Sequence, residues 1–153
     1  MVINEDKTKC MVFNFTKNKQ FSTRLTLNGK LIETVKEIKL LGTIVTNNLK
    51  WNKNTRSIIK KAYARIELLR KMTNFTTSQQ DKLHIYKTYI RSVLEQSCVV
   101  WSAGISKQNE RELERVQKVS VRLISGNYKS YTEALKNLEL ETLTKRREIL
   151  SNR

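Results

Sequence analysis

Arg111, Arg115, Lys118 and Arg122 follow one another at spacings of four, three and four. On an α-helix that spacing lines side chains along one face, here four cations beside an apolar stripe. Such a row can track the phosphates of a nucleic-acid strand, and contacts of that kind position a ligand without reading its sequence. The plainer alternative is a solvated face with internal ion pairs, Glu114 to Lys118 being a favourable i,i+4 pair. A second set, Lys53, Arg56, Lys60 and Lys61, then Arg65, Arg70 and Lys71, is opposed only by Glu67, so phosphate contact is the better account there. Lys145-Arg146-Arg147 is too short to separate a nuclear import signal from a solvated helix face. If about five of these cations neutralise phosphates on a duplex, affinity falls with salt at a log–log slope of roughly −4 to −5.

Aromatic residues offer a different contact. Trp51, next to Lys50 and close to Lys53, is placed either to stack on a base or ribose or to pack at a hinge. Tyr86, Tyr89 and Trp101 recur near a helical apolar stripe and are expected in a core. Catalytic chemistry is not legible. The only aspartates are Asp6 and Asp81, whereas two-metal phosphoryl chemistry uses paired carboxylates. Asp81 is better explained as a residue facing a helix N-terminus. Glu110, Glu112 and Glu114 read as solvent-face residues, and the sole histidine, His84, as a surface or packing residue. No nucleophile motif, glycine-rich phosphate loop or metal-ligand spacing occurs. No catalytic residue, metal ligand or cofactor is expected.

The chain has 153 residues, with 30 Lys and Arg against 14 Asp and Glu, a formal charge of +16. That excess draws a protein toward polyanions; nucleic acid comes first and an anionic membrane surface second. Cys10 and Cys98 are far apart and lie among apolar residues, which fits reduced, buried thiols and no zinc knuckle. No signal peptide is expected, and no apolar run is long enough to cross a bilayer. Proline is absent and glycine scarce, which favours continuous regular elements.

Periodicity supplies the elements that must hold these residues. Lys9 to Phe15 alternates, with Met11, Phe13 and Phe15 on one face, and predicts a strand. Residues 16–23 read as a loop. Asn28-Gly29 between Arg24–Leu27 and Lys30–Glu33 predicts a hairpin, because both turn positions need positive φ. Ile38 to Thr46 reads as a further run interrupted at Gly42, where a bend or close backbone approach is expected. Helices are predicted from Asn54 to Met72 (stripe Ile59, Ala62, Ile66, Leu69), from Ser78 to about Trp101 (Leu83, Tyr86, Ile90, Val93, Ser97, Trp101) and from Lys107 to Ser125 (Leu113, Val116, Ser120, Leu123). Ser78 with Asp81, Ser106, and Ser130 with Glu133 are N-cap signals, Gly126 is a stop signal, and residues 142–150 form a last helix. The fold class is therefore α+β: a small antiparallel β-hairpin platform over about 9–46 and an α-helical bundle over about 54–150, in two regions, 1–50 and 51–153.

An ordered set of landmarks spans this layout: Asn4-x-x-Lys7-Thr8-Lys9-x-Met11-x-Phe13, Leu40-Leu41-Gly42, Trp51, Tyr89-Ile90-Arg91-Ser92-Val93-Leu94, Trp101, Leu113-x-x-Val116-Gln117-Lys118 and Arg146-Arg147. Together they resemble the C-terminal part of a reverse transcriptase from a non-LTR (LINE-type, jockey-like) retrotransposon. The resemblance implies the end of a palm at Asn4–Phe13, with Lys7 and Lys9 near an incoming nucleotide. It implies a primer grip around Leu40-Leu41-Gly42, where Gly42 lets backbone approach the primer, then a thumb after Trp51 and a helical region beyond it. The family's Asp-Asp turn, and the Mg2+ its aspartates hold, have no counterpart in this chain, so RNA-directed DNA synthesis by it is not expected. A truncated reading frame, a degenerate element copy or a fragment of a longer polymerase would fit.

On that basis the expected nucleic-acid-binding residues are Lys7, Lys9, Gly42, Trp51, Lys53, Arg56, Lys60, Lys61, Arg111, Arg115, Lys118 and Arg122. The expected partner is an RNA–DNA hybrid or duplex bound with weak sequence preference, in the nucleus or cytoplasm, with no membrane contact. The competing expectation is a helical interaction or scaffold protein, self-associating through uncovered apolar surface; a third is an element copy with no function.

Overall fold

The computed structural model describes residues 3–16, 24–126 and 128–152. The fold is α+β, short strands first and helices after, and the chain divides into two compact units, Met1–Trp51 and Asn52–Arg153.

In the first unit a short turn of 3-10 helix, Glu5–Lys7, is capped by the Asn4 side chain, which accepts from the Lys7 N–H at 3.2 Å. Strand β1 (Lys9–Cys10) pairs in parallel with β4 (Glu33–Thr34). Strands β2 (Thr26–Leu27) and β3 (Lys30–Leu31) form an antiparallel hairpin around Asn28 and Gly29, at φ 50° and 81°. The Asn-Gly signal was sufficient here because both turn residues must be left-handed. Strands β5 (Glu37–Leu40) and β6 (Thr43–Thr46) form a second hairpin, with Glu37 opposite Thr46 and Leu40 opposite Thr43.

Two strand expectations are corrected. The run from Ile38 to Thr46 is not one strand bent at Gly42; Leu41 and Gly42, at φ 46° and 86°, make a two-residue turn between two strands. The strand expected over Lys9–Phe15 stops at Cys10. Its partner β4 is only two residues long, and after the Val35 N–H donates to the Cys10 carbonyl at 2.8 Å the chain turns into β5. Met11 to Phe15 therefore lack a ladder, and alternation without a pairing edge does not make a strand. Phe13 and Phe15 are exposed. The loop expected over 16–23 lies, apart from Thr16, outside the described residues.

The second unit is helical. Helix α1 (Asn52–Thr73) buries Asn54, Thr55, Ile58, Ala62, Ile66 and Leu69. Ile58, not Ile59, continues the three-and-four spacing through Ala62, and Ile59 is only half-buried. Helix α2 (Gln79–Ile85), capped by Ser78, runs through a π turn, Tyr86–Ile90, into α3 (Arg91–Glu95). The helix expected to continue to Trp101 breaks at Gln96–Ser97, where Ser97 adopts φ 52°, and resumes as α4 (Cys98–Trp101). The break brings Cys98 and Trp101 inward in place of Ser97. It is tied off by the Trp101 indole, whose Nε1–H donates to the Gln96 carbonyl at 2.9 Å.

Helix α5 (Lys107–Ser125) starts at Ser106, whose Oγ accepts from the Asn109 N–H, and stops at Gly126, φ 68°. Helices α6 (Tyr131–Asn137) and α7 (Leu143–Ser151) are capped by Ser130 and Thr142. Helix α1 packs along α5, the α2–α3 run lies against both, and α6 and α7 close over α5. A polar chain crosses this core. The Tyr86 hydroxyl donates to Gln117 Oε1 at 2.5 Å. Gln117 Nε2 donates to the Tyr131 hydroxyl at 3.0 Å and to the Glu141 carbonyl at 2.8 Å. The Tyr131 hydroxyl donates to Glu114 Oε1 at 2.5 Å, and Glu114 Oε2 accepts from the Leu143 N–H at 2.9 Å. Burial pushes both phenols far above the ordinary tyrosine range, so each hydroxyl remains a donor.

Candidate nucleic-acid interface

Helix α5 separates its two faces cleanly. Leu113, Val116, Gln117, Ser120, Val121 and Ile124 point inward and are buried. Arg111, Arg115, Lys118 and Arg122 are all exposed on the opposite side, so the row lies across the helix from the apolar stripe and not beside it. From Arg111 to Arg122 it runs about 16 Å, at 1.5 Å per residue. No ion pair engages the four among the described residues. The pair expected between Glu114 and Lys118 is not formed, because Glu114 accepts from Tyr131 and from the Leu143 N–H. Lys118 rests its ammonium 5.1 Å from the Tyr131 ring centre, an interaction that leaves its charge intact.

The cations of α1 have different surroundings. Lys53, Arg56 and Lys60 are exposed and lie across the helix from the buried stripe, while Lys61 is half-buried at its flank. Arg70 pairs with Glu67 at 2.8 Å. Arg65 is drawn away from any phosphate-facing set: its guanidinium stacks 4.3 Å from the Tyr89 ring centre and donates to the Tyr89 carbonyl. Because α1 and α5 pack through their buried stripes, their cationic sides turn away from the shared core in different directions. They form two tracks and not the walls of one groove.

In the first unit Lys7 is exposed at the end of the 3-10 turn, and Lys9 is paired with Glu33 across the β1–β4 ladder. Gly42 serves the hairpin turn, which by itself accounts for its positive φ. Trp51 is 8 % exposed, which removes it as a stacking surface and corrects that expectation. Asp6 pairs with Lys30 at 2.5 Å, and Asp81 sits in the Ser78 cap. His84 is exposed.

Arg146 and Arg147 are structural. Arg146 Nε donates to Glu95 Oε1 at 2.9 Å, and that bond holds its guanidinium above the usual arginine range. Glu95 also pairs with Arg91 at 3.6 Å. Arg147 is 4 % exposed and lies 6.0 Å from the Trp101 ring centre; burial pulls its pKa down. A pocket of about 350 Å³ beside it is also lined by Glu110 and Glu148, carboxylates that would repel a phosphate.

Tyr86 and Trp101 are core residues, as expected, but Tyr89 is 44 % exposed. The signal that could have singled it out is the π turn, which helical periodicity does not reveal. Among the described residues no group of three His, Cys, Asp or Glu side chains could hold a metal ion, and no helix is long and apolar enough to cross a membrane. No protein-family model, no curated protein and no solved structure matches the chain.

Proposed function

We propose that the helical unit holds the sugar–phosphate backbone of a nucleic-acid duplex, as the thumb-like remnant of a non-LTR retrotransposon reverse transcriptase, without itself synthesising DNA. The observation that carries this is the outward face of α5, four cations without an ion pair among the described residues, over about 16 Å on one helix. A row of that length spans several nucleotides of axial rise, so phosphates of the duplex come within reach of it. A template–primer hybrid in the nucleus or cytoplasm is the ligand in view, bound with weak sequence preference because backbone contacts specify no bases. Titrating an RNA–DNA hybrid at several salt concentrations tests it: four contacts give a log–log slope of roughly −3 to −4. Affinity that ignores salt would sink the proposal.

A second reading is favoured by one feature of the first unit. Leu41 is 89 % exposed and sits at φ 46°, where Asn or Gly would be less strained. Leu31, Leu40 and Phe15 are exposed as well. An interaction surface for a protein partner or a second copy accounts for apolar side chains held in this way. Size measurement at micromolar concentration separates the two, since a strict monomer argues against self-association.

A further inference from the structure

We propose that Tyr89, backed by Arg65, is a stacking platform for an unpaired nucleobase. The inference rests on the nucleic-acid reading above and names a part of the ligand that the α5 row cannot recognise. Tyr89 lies in the π turn Tyr86–Ile90, where the Arg91 N–H reaches back to the Tyr86 carbonyl. Turns of this kind are rare and recur at functional sites. The Tyr89 carbonyl accepts from the Arg65 guanidinium and from Ser92 Oγ, the latter at 3.2 Å. The same guanidinium covers one face of the ring at 4.3 Å. Ring and guanidinium are thus fixed to each other before any ligand arrives, which lowers the ordering cost of stacking. The residue still exposes 44 % of its surface, and the guanidinium stands over only one of the ring's two faces.

The surroundings select the guest. A cationic ligand, the other common visitor to an exposed tyrosine, is disfavoured by the guanidinium already on the ring. A neutral aromatic heterocycle suits the ring, and the phosphate joined to it needs a cation other than Arg65. Lys61 sits one turn before Arg65 on the same side of α1 and is half-buried, placed for a flanking phosphate. Leu68, three residues beyond Arg65, is 45 % exposed and extends the apolar edge. Inside a duplex both faces of a base are covered by its stacked neighbours, so the platform takes single strand or an unpaired overhang.

The test compares a short labelled single strand with the blunt duplex of the same length, on the whole chain. Tyr89→Ala should weaken single-strand binding roughly 5- to 160-fold, the range of one base–aromatic stack, without changing the salt slope, while Tyr89→Phe, which keeps the ring, stays within about twofold. Duplex affinity should not move. A 2-aminopurine in the strand should be quenched by the parent protein and not by Tyr89→Ala. Equal single-strand affinity in Tyr89→Ala, or an equal loss on duplex, overturns the platform. If Arg115→Glu with Arg122→Glu abolishes duplex binding while Tyr89→Ala is silent, the phosphate track stands and the platform falls. If the charge reversal is silent and Tyr89→Ala loses single strand, the platform stands and the track falls. A parent protein that binds neither strand overturns both.

Discussion

The outward face of α5 and the seam where α7 meets α3 and α4 carry the same residue types in opposite states. On α5 the four cations are exposed and unpaired among the described residues. At the seam Arg146 shares Glu95 with Arg91, and Arg147 is buried against Trp101. Two things differ. The α5 cations sit opposite their helix's buried stripe, whereas Arg147 sits within one. The seam also has Glu95 within reach, while the carboxylate nearest in sequence to Lys118, Glu114, is committed to Tyr131 and Leu143. A count of basic residues therefore overstates binding capacity; what matters is how many guanidinium and ammonium groups the fold leaves unclaimed.

The contrast can be broken most severely at Arg147. Arg147→Glu places a carboxylate near Glu110, Glu114 and Glu148, whose charges act on this position. It should cost about 3 to 5 kcal/mol of stability in urea unfolding. Arg115→Glu, a similar change on the open face, should stay within about 0.5 kcal/mol; equal costs would erase the distinction. Next comes the inner side of α5 itself. Gln117→Leu deprives the Tyr86 hydroxyl of its acceptor and the Glu141 carbonyl of a donor, at about 2 kcal/mol or more, read as a lower urea midpoint with nucleic-acid affinity per folded molecule unchanged. On the outer side, Arg115→Glu with Arg122→Glu should make the salt slope shallower by about two, visible in a titration series, with the urea midpoint nearly fixed. A cost smaller than that of Gln117→Leu belongs to the helix cap: Ser106→Ala should cost about 1 kcal/mol and leave the slope alone.

Much of this layout was legible because its causes are local. Ser78, Ser106 and Ser130 each cap a helix through a bond to a backbone N–H three residues on, and Asn28-Gly29 needed only its own φ values; Thr142 caps α7 in the same way but was not singled out. The α5 cations were legible as one face because periodicity alone assigns it, but that face proved to lie across from the apolar stripe and not beside it. What escaped depends on distant partners. The extent of β1 is set by how little of β4 runs beside it. The break at Ser97 is stabilised by an indole that must fold back to the Gln96 carbonyl, and spacing cannot announce a π turn. The fate of Glu114 was hidden for the same reason: the i,i+4 neighbour was evident, but the competing hydroxyl of Tyr131 arrives from another helix. Trp51 was ambiguous from sequence, and its burial decides against base contact.

The hydroxyl–amide–carboxylate chain through Gln117 has a consequence for how the second unit comes apart. Helices α6 and α7, seven and nine residues long, are too short to persist alone in water. Their backbone and side-chain groups nonetheless end on Gln117 and Glu114, so neither can peel off without stranding a polar group on the long helix beneath. Amide deuterium uptake in the two short helices should accordingly track that of the centre of α5, one cooperative melting step in place of fraying from the C-terminal end.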